Sequence, residues 1–438
     1  NKQIYFICEM IERKISISKI LGDRYDIKYL VFKELSSEVN FPLCSLGNLL
    51  ISPPQYGANE AGIERKDITS PRYIRITDIN EQGLLSDELG ATAMNIQSKY
   101  ILNNNDILIA RSGNTVGKSF IYKEKEYNYK CFFAGYMLRF VVDPTKIIPD
   151  FLFIITQLDY FKRWVNAVQR AAGQPNINAT EYCSFPVPMP NLSYQKDIVL
   201  EYTKAQLVQK KEQQTANKLL NKISFYIKEE LGLTQSSKIK SKVEFVKLSY
   251  LIGKKWGVLR DKDTTSTKFD TISLMSIAVL EKGKTITKKN ILEGEIPVIA
   301  GGQTSPYNHN VANYDGNVIT ISASGAYAGY VWYHRTAIFA SDCTVIYSKD
   351  ESVFKTEYIY EVLKAQQKYL YSLQRGAAQP HVYAKDLNNI LIPKVPIEKQ
   401  EEIIQHVTNI RTRADQLLDE GNRSFEKVKQ EIEKFIIK

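Results

Sequence analysis

The sequence lacks the patterns that mark a metal centre, a disulfide scaffold or a membrane span. Its five cysteines are scattered, with no Cys-x-x-Cys pair and no histidine at ligand spacing, which argues against zinc ribbons and disulfide frameworks. The four histidines are just as dispersed, so no metal site is expected. No apolar run approaches the roughly 18 residues of a membrane span, and the first residues lack a signal-peptide pattern. These absences predict a cytoplasmic protein with reduced thiols.

The bulk composition is that of a folded, basic protein. At 438 residues, the chain is long enough for about two or three domains that each bury a core. Its hydrophobic content of 44% and charged content of 24% are ordinary for globular protein. A net charge of +10 favours a polyanionic partner such as nucleic acid, although a basic, solvated surface explains the same number.

An internal repeat is the most informative positive feature. Residues 169–176 (QRAAGQPN) return 205 positions later as residues 374–381 (QRGAAQPH), and the same offset then pairs Gln195 with Gln400. Repetition held in one register indicates two copies of one structural unit. A chain built from two copies suits a target that itself has two parts.

Each copy has the same predicted order: a globular segment of short β-rich runs, an amphipathic helix, a proline-rich exit and a long helix. The amphipathic helices are predicted at residues 149–168 and 357–373. The exits, residues 185–190 and 392–396, are predicted to be extended linkers, because prolines at this density cannot continue a helix or a central strand.

The two long helices carry apolar residues in alternating steps of four and three, which is typical of helix-on-helix pairing. Antiparallel pairing of the two helices is the simplest arrangement, and separate packing of each helix on its own domain is the alternative. About 40 helical residues extend roughly 60 Å, which is on the order of 17 base pairs of B-DNA. The residues predicted to pair are Ile198, Tyr202, Leu219, Ile223, Ile403, Val407, Ile410 and Leu417.

These features predict an α+β fold with two repeated globular domains that contain twisted mixed β-sheets. The domains are joined by two long helices that pair as an antiparallel coiled coil. The predicted boundaries are a partly helical N-terminal segment at 1–40, a first domain at 41–192, a central helix at 193–237, a second domain at 238–396 and a C-terminal helix at 397–438.

Three motifs with catalytic associations fit the sequence poorly. Residues 112–119 resemble a phosphate-binding loop, but the glycine required five positions before Gly117 is Ser112. The second copy, at residues 324–330, keeps the glycines and loses the lysine, so a tight glycine loop between strands is the better interpretation. Residues 52–56 lack the aromatic residue that directly follows Pro-Pro in amino-methyltransferases, and the nuclease pattern Pro-Asp…Glu-x-Lys occurs only out of order. An enzyme that uses the glycine loop is the less favoured alternative.

The remaining chemistry is recognition, because Arg, Asn, Gln, His and Tyr surround the glycine loops and the repeated string. Such side chains hydrogen-bond base edges or phosphates and stack on bases. A loop-capping role is the alternative for each, and positions that differ between the copies, such as Lys118 and Tyr330, are the better specificity candidates. The first-copy candidates are Arg111, Asn114, Thr115, Lys118, Arg170, Gln174, Asn176 and Asn178. The second-copy candidates are Gln303, Tyr307, His309, Ser324, Tyr327, Arg375, Gln379, His381 and Tyr383.

The chain from residue 41 to its end resembles the specificity subunit of a type I restriction–modification system. The resemblance rests on residues 173–178 and 376–382, each followed by a proline exit and then by Gln195 or Gln400. The family implies two target recognition domains that each read one half of a split, asymmetric DNA site, in a subunit without catalytic activity. It also implies that the two helical regions act as a spacer and as the docking surface for two methyltransferase subunits.

The same resemblance implies the partners and cofactors. The methyltransferase subunits use S-adenosylmethionine to methylate adenine N6, and separate restriction subunits translocate and cut DNA, so no cofactor is expected on this chain. A similar module occurs in type IIB and type IIG systems, at times fused behind a methyltransferase. Residues 1–40, with Asn1 in place of an initiator Met, leave open that the chain is such a module cut from a longer polypeptide.

Overall fold

The structure, a computed structural model, describes residues 27–86, 89–169, 175–235, 265–376 and 379–437. The chain divides into two compact units, Asn1–Lys211 with Glu420–Lys438, and Glu212–Asp419. Most of the predicted N-terminal segment and the predicted start of the second domain, residues 238–264, lie outside the described residues.

The first unit contains two four-stranded sheets and the helices that cover them. Its elements are α1 (Ile27–Ser37), β1 (Leu43–Ser45), β2 (Gln55–Tyr56), β3 (Ile63–Glu64), β4 (Arg72–Ile74), β5 (Ala91–Thr92), β6 (Ile107–Ala110), β7 (Ser119–Ile121), β8 (Cys131–Phe133), β9 (Met137–Phe140), α2 (Pro149–Gln157), α3 (Asp159–Val168), α4 (Ala179–Cys183), β10 (Pro186–Pro188) and the start of α5 (Leu192–Leu231). One sheet, β2-β9-β6-β7, is antiparallel, and the other, β3-β5-β4-β8, is mixed because β4 and β8 are parallel. Strand β6 is buried along its length, and its Ile107 and Ile109 share one core with Phe151 of α2 and Trp164 of α3.

The second unit repeats this plan. Its elements after α5 are β11 (Thr234–Gln235), β12 (Thr265–Ser266), β13 (Thr271–Ser273), α6 (Leu274–Ile277), β14 (Ala278–Lys282), β15 (Ile296–Ile299), β16 (Tyr307–His309), β17 (Val318–Ser322), β18 (Val331–His334), β19 (Phe339–Ala340), β20 (Cys343–Ser348), α7 (Thr356–Ala365), α8 (Gln367–Ser372), α9 (Ala384–Leu387), β21 (Leu391–Pro393) and α10 (Ile397–Ile436). An antiparallel sheet, β14-β20-β17-β18, lies with a mixed sheet, β16-β15-β19, in which β15 and β19 are parallel. The predicted α+β fold with two repeated domains is confirmed.

Each predicted amphipathic helix is in fact two helices, so the predictions of unbroken helices were wrong. Helix α2 ends and α3 begins at Leu158, whose backbone is extended with φ −82° and ψ 159°. In the second unit, Gln366 separates α7 from α8, with a different backbone conformation of φ −100° and ψ 18°. The sequence gives no sign of either break, because both helices of each pair contribute apolar residues to the same core and neither break contains glycine or proline.

The proline-rich exits are short strands, which corrects their prediction as linkers. Strand β10 pairs antiparallel with β1, with Leu43 opposite Pro188, and β21 pairs with β13, with Thr271 opposite Pro393. Both ribbons have only two strands, so every strand is an edge, where a residue without an N–H is tolerated. Each ribbon therefore joins the start of a domain to the residues that lead into its long helix.

Helices α5 and α10 pair within the first unit. The rings of Tyr202 and Phe425 lie 5.0 Å apart, and Gln209 Nε2 donates to Asn422 Oδ1 at 2.9 Å. The pairing is antiparallel, because residue numbers rise along one helix as they fall along the other. Tyr202 and Ile198 also belong to the core of the first domain.

The same two helices pair in the second unit. Lys399 Nζ lies 2.6 Å from Glu230 Oε1, and the rings of Tyr226 and His406 lie 4.1 Å apart. Helix pairing and packing on the nearest domain, which the sequence left as alternatives, therefore occur together. Of the other residues predicted to pair, Ile223, Ile403 and Val407 lie in the core of the second domain, Leu417 packs with Ala216 and Ala414, and Leu219 and Ile410 lie beside these clusters.

A buried glutamine ties the first turn of each long helix to its domain. Gln195 accepts from the N–H of Ile148, the residue before α2, at 2.9 Å and donates to Pro190 O at 3.0 Å. Gln400 accepts from the N–H of Lys355, the residue before α7, at 2.9 Å and donates to a carbonyl near its own helix at 3.1 Å. The repeated glutamines are thus part of the framework.

In each unit, a backbone N–H donates a hydrogen bond to the end of a long helix. In the second unit, the N–H of Lys268 donates to Leu231 O of α5 at 3.0 Å. In the first unit, the N–H of Asn40 donates to Ile436 O of α10 at 2.8 Å. Leu231 and Ile436 are separated by the repeat offset. The end of α10 therefore occupies the same place in the first domain as the end of α5 does in the second.

Candidate nucleic-acid interface

Both domains carry a glycine loop that joins a central strand to the neighbouring edge strand, β6 to β7 in the first domain and β17 to β18 in the second. Gly113 and Gly117 have φ values of 83° and 89°, and Gly325 and Gly329 have φ values of 84° and 92°. Glycine adopts such angles without the strain that a side chain would cause. The loops therefore share one backbone shape, and the prediction of a tight glycine loop common to both copies is confirmed.

The repeated string lies against the base of each loop. In the first domain, the N–H of Gly113 donates to Pro175 O at 2.9 Å; in the second, the N–H of Gly325 donates to Pro380 O at 3.0 Å. The fold thus brings loop and string candidates together. The equivalent β-bridges join Ser112 to Asn176 and Ser324 to His381.

A cavity of about 270 Å³, lined by both polar and apolar side chains, lies beside the first loop. Lys118 lines it, and its Nζ lies 3.0 Å from the Oε1 of Glu81, a carboxylate that is 90% exposed. Asn114, Thr115 and Lys162 line the same cavity. Cationic, hydroxyl and amide groups around an open cavity are the chemistry that binds phosphate oxygens.

Arg111 lies directly after β6, at the start of the loop. Its Nε donates to Gly135 O at 3.1 Å, and its guanidinium carbon lies 5.1 Å from the ring centre of Tyr56. These contacts orient the guanidinium, whose terminal nitrogens have no hydrogen-bond partner among the residues that the structure describes.

The remaining first-copy candidates lie beneath the loop or outside the described residues. Asn178 caps α4, because its side chain accepts from the N–H of Glu181 at 2.9 Å and its own N–H donates to the Glu181 carboxylate at 2.8 Å. The Oδ1 of Asn176 is buried, and no described group hydrogen-bonds to it. Arg170 and Gln174 lie outside the described residues.

The second loop is surrounded by aromatic and amide side chains. The rings of His381 and Tyr383 stack with their centres 6.0 Å apart, and Arg375 forms an ion pair with Asp386. Exposed rings and amides of this kind can stack on bases and bond base edges. The exposed candidates here are Gln303, Tyr327, Arg375, Gln379 and Tyr383.

Two second-copy candidates lie on the mixed sheet, on β16. His309 is buried, and its Nδ1 accepts from the N–H of Leu292 at 3.1 Å, which occupies that ring nitrogen within the fold. Tyr307 is exposed, with Lys288 Nζ 5.6 Å from its ring centre. A cation beside an exposed ring is compatible with contact to a nucleic acid.

A cation that the sequence pattern did not predict lies at the second loop. Lys364 of α7 places its Nζ 3.9 Å from the ring centre of Tyr330 and donates to Val331 O at 2.9 Å. Burial lowers the pKa of Lys364 to about 8. The first loop thus carries its own cation, Lys118, whereas the second carries Tyr330 at that position with a cation from a helix behind it.

Tyr136 and Asp342 are two further residues of the site that the sequence pattern did not predict. They precede β9 and β20 and lie opposite the residues that begin the two loops. Only the strand register reveals this placement, because Tyr136 lies 25 positions after Arg111 in the chain and Asp342 lies 19 positions after Ala323.

The described residues offer no metal cluster, and their two fully buried cysteines are not activated thiols. No group of three or more His, Cys, Asp or Glu side chains in the described ranges is placed to hold a metal ion. Burial raises the pKa of Cys131 and of Cys343 to about 12, so both thiols are protonated at neutral pH.

No helix in the described parts of the chain has both the length and the apolar character to cross a membrane.

Comparisons with known proteins give one family and several distant structures. The family model for the type I restriction modification DNA specificity domain matches residues 63–214 and again residues 266–421. No curated protein matches the chain. Similar solved structures include a type I restriction-modification S subunit from M. genitalium (14% identity, 91% of this chain and 96% of that chain covered, TM-score 0.42), a chain from a study of complex assembly and conformational transition of the type I R-M system (13%, 90% and 96%, TM-score 0.49), and the HsdS subunit from Thermoanaerobacter tengcongensis (13%, 90% and 96%, TM-score 0.35).

Proposed function

The chain belongs to the type I restriction–modification DNA specificity family, as a DNA-recognition subunit rather than an enzyme, and we propose that it reads a bipartite, asymmetric DNA site with one half for each domain. The observation that carries the proposal is the pair of glycine loops. Their backbones have the same angles, whereas their side chains differ, with Lys118 in the first where the second has Tyr330. Two readers with one framework and different side chains suit two different half-sites.

The charge and the exposed groups of both domains support DNA as the ligand. The net charge of +10 attracts the phosphate backbone. Lys118 and Lys162 line the cavity beside the first loop, and Tyr327 and Tyr383 are exposed at the second. Phosphate contacts fix the position of a protein on DNA, and contacts to base edges determine the sequence that it selects.

The long helices are proposed to set the gap between the half-sites and to dock the methyltransferase subunits. Each contains 40 residues, which corresponds to about 60 Å of helix. In the first unit, Leu200 and Leu207 of α5 are exposed and lie on one side of the helix, because seven residues make about two turns. Ile198 and Tyr202 are buried on the opposite side, so this exposed apolar face is available to a partner helix.

The reaction chemistry is assigned to the partners in this proposal. S-adenosylmethionine and adenine N6 methylation belong to the two methyltransferase subunits, and translocation and cleavage belong to the restriction subunits. The chain itself binds no cofactor and works with DNA in the cytoplasm. Its contribution is the choice of sequence.

A domain exchange tests the proposal. Residues 41–192 are replaced by the corresponding domain of another family member, and the sites selected from random duplexes are sequenced. We expect one half-site to change and the other to stay the same. A change in both halves, or in neither, contradicts a division of the site between the domains.

A further inference from the structure

The strand register defines the position opposite the start of the first loop. Ala110, the last residue of β6, pairs with Met137, the first residue of β9. The next pair outward is Arg111 and Tyr136, joined by a hydrogen bond of 2.9 Å from the N–H of Arg111 to Tyr136 O. Facing residues of an antiparallel pair direct their side chains to the same side of the sheet.

The second domain has the same register with different residues. Ser322, the last residue of β17, pairs with Cys343, the first residue of β20. The next pair outward is Ala323 and Asp342, joined by a hydrogen bond of 3.1 Å from the N–H of Ala323 to Asp342 O. The pair Arg111 and Tyr136 of the first domain therefore corresponds to Ala323 and Asp342 of the second.

The first domain presents hydrogen-bond donors at this position. The Arg111 guanidinium is held through Nε by Gly135 O and lies beside the ring of Tyr56. No described residue accepts a hydrogen bond from its two terminal nitrogens. Tyr136 beside it is 62% exposed, so the position is open to a ligand.

The second domain presents a hydrogen-bond acceptor at the same position. Ser324 Oγ donates to Oδ2 of Asp342, which orients the carboxylate. No donor within the described ranges bonds to the other oxygen, Oδ1. Ala323 has only a methyl group where the first domain has the long side chain of Arg111, so nothing from that residue covers the carboxylate.

We propose that Arg111 and Asp342 are specificity-determining residues of opposite hydrogen-bond character: Arg111 donates to guanine in one half-site, and Asp342 accepts from the amino group of cytosine in the other. This inference rests on the proposed DNA-reading function. Guanine presents two acceptors in the major groove, which match the paired N–H groups of a guanidinium. Cytosine presents its N4 amino group as a donor, which matches a carboxylate oxygen and repels a guanidinium.

Selection from a duplex library with both half-sites randomised tests the inference on the whole chain. The variants are Arg111→Lys, which keeps the charge but loses the planar fork, and Asp342→Asn, which keeps the shape but replaces one acceptor with a donor. We expect Arg111→Lys to reduce the preference for guanine at one position by about 10- to 100-fold, and Asp342→Asn to reduce the preference for cytosine in the other half-site by a similar factor.

Matched controls lie beyond the far ends of the same strand pairs. The control variants are Lys146→Arg and Asp350→Asn, which are conservative changes of charged residues. Lys146 follows β9 and Asp350 follows β20, so both residues are distant along the strand from the proposed contacts. Neither control should alter the selected bases. In each test variant, continued selection of the opposite half-site shows that the protein is folded and bound.

The possible outcomes separate this inference from the proposed function. Unchanged base preferences in both variants overturn the inference and leave the proposed function intact. A uniform loss of affinity across all bases with Arg111→Lys assigns Arg111 to a phosphate and also overturns it. If the wild-type chain selects no sequence, the proposed function and the inference both fail.

Discussion

Gln195 and Gln400 illustrate, at the scale of single residues, what the repeat preserves. Each is fully buried. The side-chain amide of each forms hydrogen bonds with backbone groups of the domain and of the segment just before its own helix. Arg111 and Asp342, which belong to equivalent strand pairs at the start of the two glycine loops, have opposite hydrogen-bond character. Shared residues thus hold the backbone, and we propose that residues that differ contact the DNA.

Replacement of a framework glutamine should destabilise its unit. Gln195→Leu leaves the partly buried N–H of Ile148 and the carbonyl of Pro190 without their side-chain partner, so we expect a loss of roughly 2–4 kcal/mol in the free energy of unfolding by urea. Gln405→Leu, at an exposed position of α10, is the control and should change stability by less than about 0.5 kcal/mol. Equal effects of the two substitutions would contradict the framework role.

His334 should make the second unit sensitive to mild acid. Burial lowers its pKa to about 4, and its Nε2 shares a hydrogen bond of 2.8 Å with Thr320 Oγ1. The unfolded chain takes up a proton as the pH falls through about 6.5, whereas the folded histidine stays neutral until about pH 4, so stability is lost as the pH falls. We expect a loss of about 1.5 kcal/mol between pH 6.5 and 5.

His334→Gln is the variant that isolates this effect, since glutamine does not titrate. Denaturant unfolding at both pH values should give a smaller difference for the variant than for the wild type. If the two proteins lose the same stability between pH 6.5 and 5, His334 is not the group responsible.

Local elements divide into those that the sequence predicts and those that only the fold defines. Long helices and glycine loops were predictable, because periodicity and glycine act over a few residues, and the repeat was predictable because two stretches of the sequence match directly. The break at Leu158 was not, because the apolar pattern continues across it. The proline exits became strands because β1 and β13 supply partners more than a hundred residues away in the chain. Asp342 was missed for the same reason, since its place depends on strand register.

The glycine loop offers a test at the scale of one element. A Cβ on Gly329 would lie 2.7 Å from Leu370 O, and its φ of 92° is itself unfavourable for a side chain. We expect Gly329→Ala to lower the free energy of unfolding by about 2–3 kcal/mol. Gly302→Ala is the control, because the nearest atom to its Cβ would be 3.5 Å away and its φ is not positive. A similar loss from both variants would contradict a special role for the loop geometry.

At the scale of the whole molecule, both long helices contribute residues to the core of each domain. Helix α5 leaves the first domain and ends in the second, and α10 leaves the second and ends in the first. The hydrogen bonds from Asn40 and Lys268 to the ends of these helices are equivalent. A change in the length of either helix would therefore act on both domains, as expected if the helices set the gap between two half-sites.

The most direct measurement of the central claim is the affinity of the chain for a selected bipartite duplex as a function of the gap between its halves. Each added or removed base pair rotates one half-site by about 35° relative to the other. We predict one preferred gap, with affinity falling by at least about tenfold when the gap changes by two pairs, because the second domain then loses its contacts. An affinity independent of the gap, or selection of a single uninterrupted site, would contradict the account.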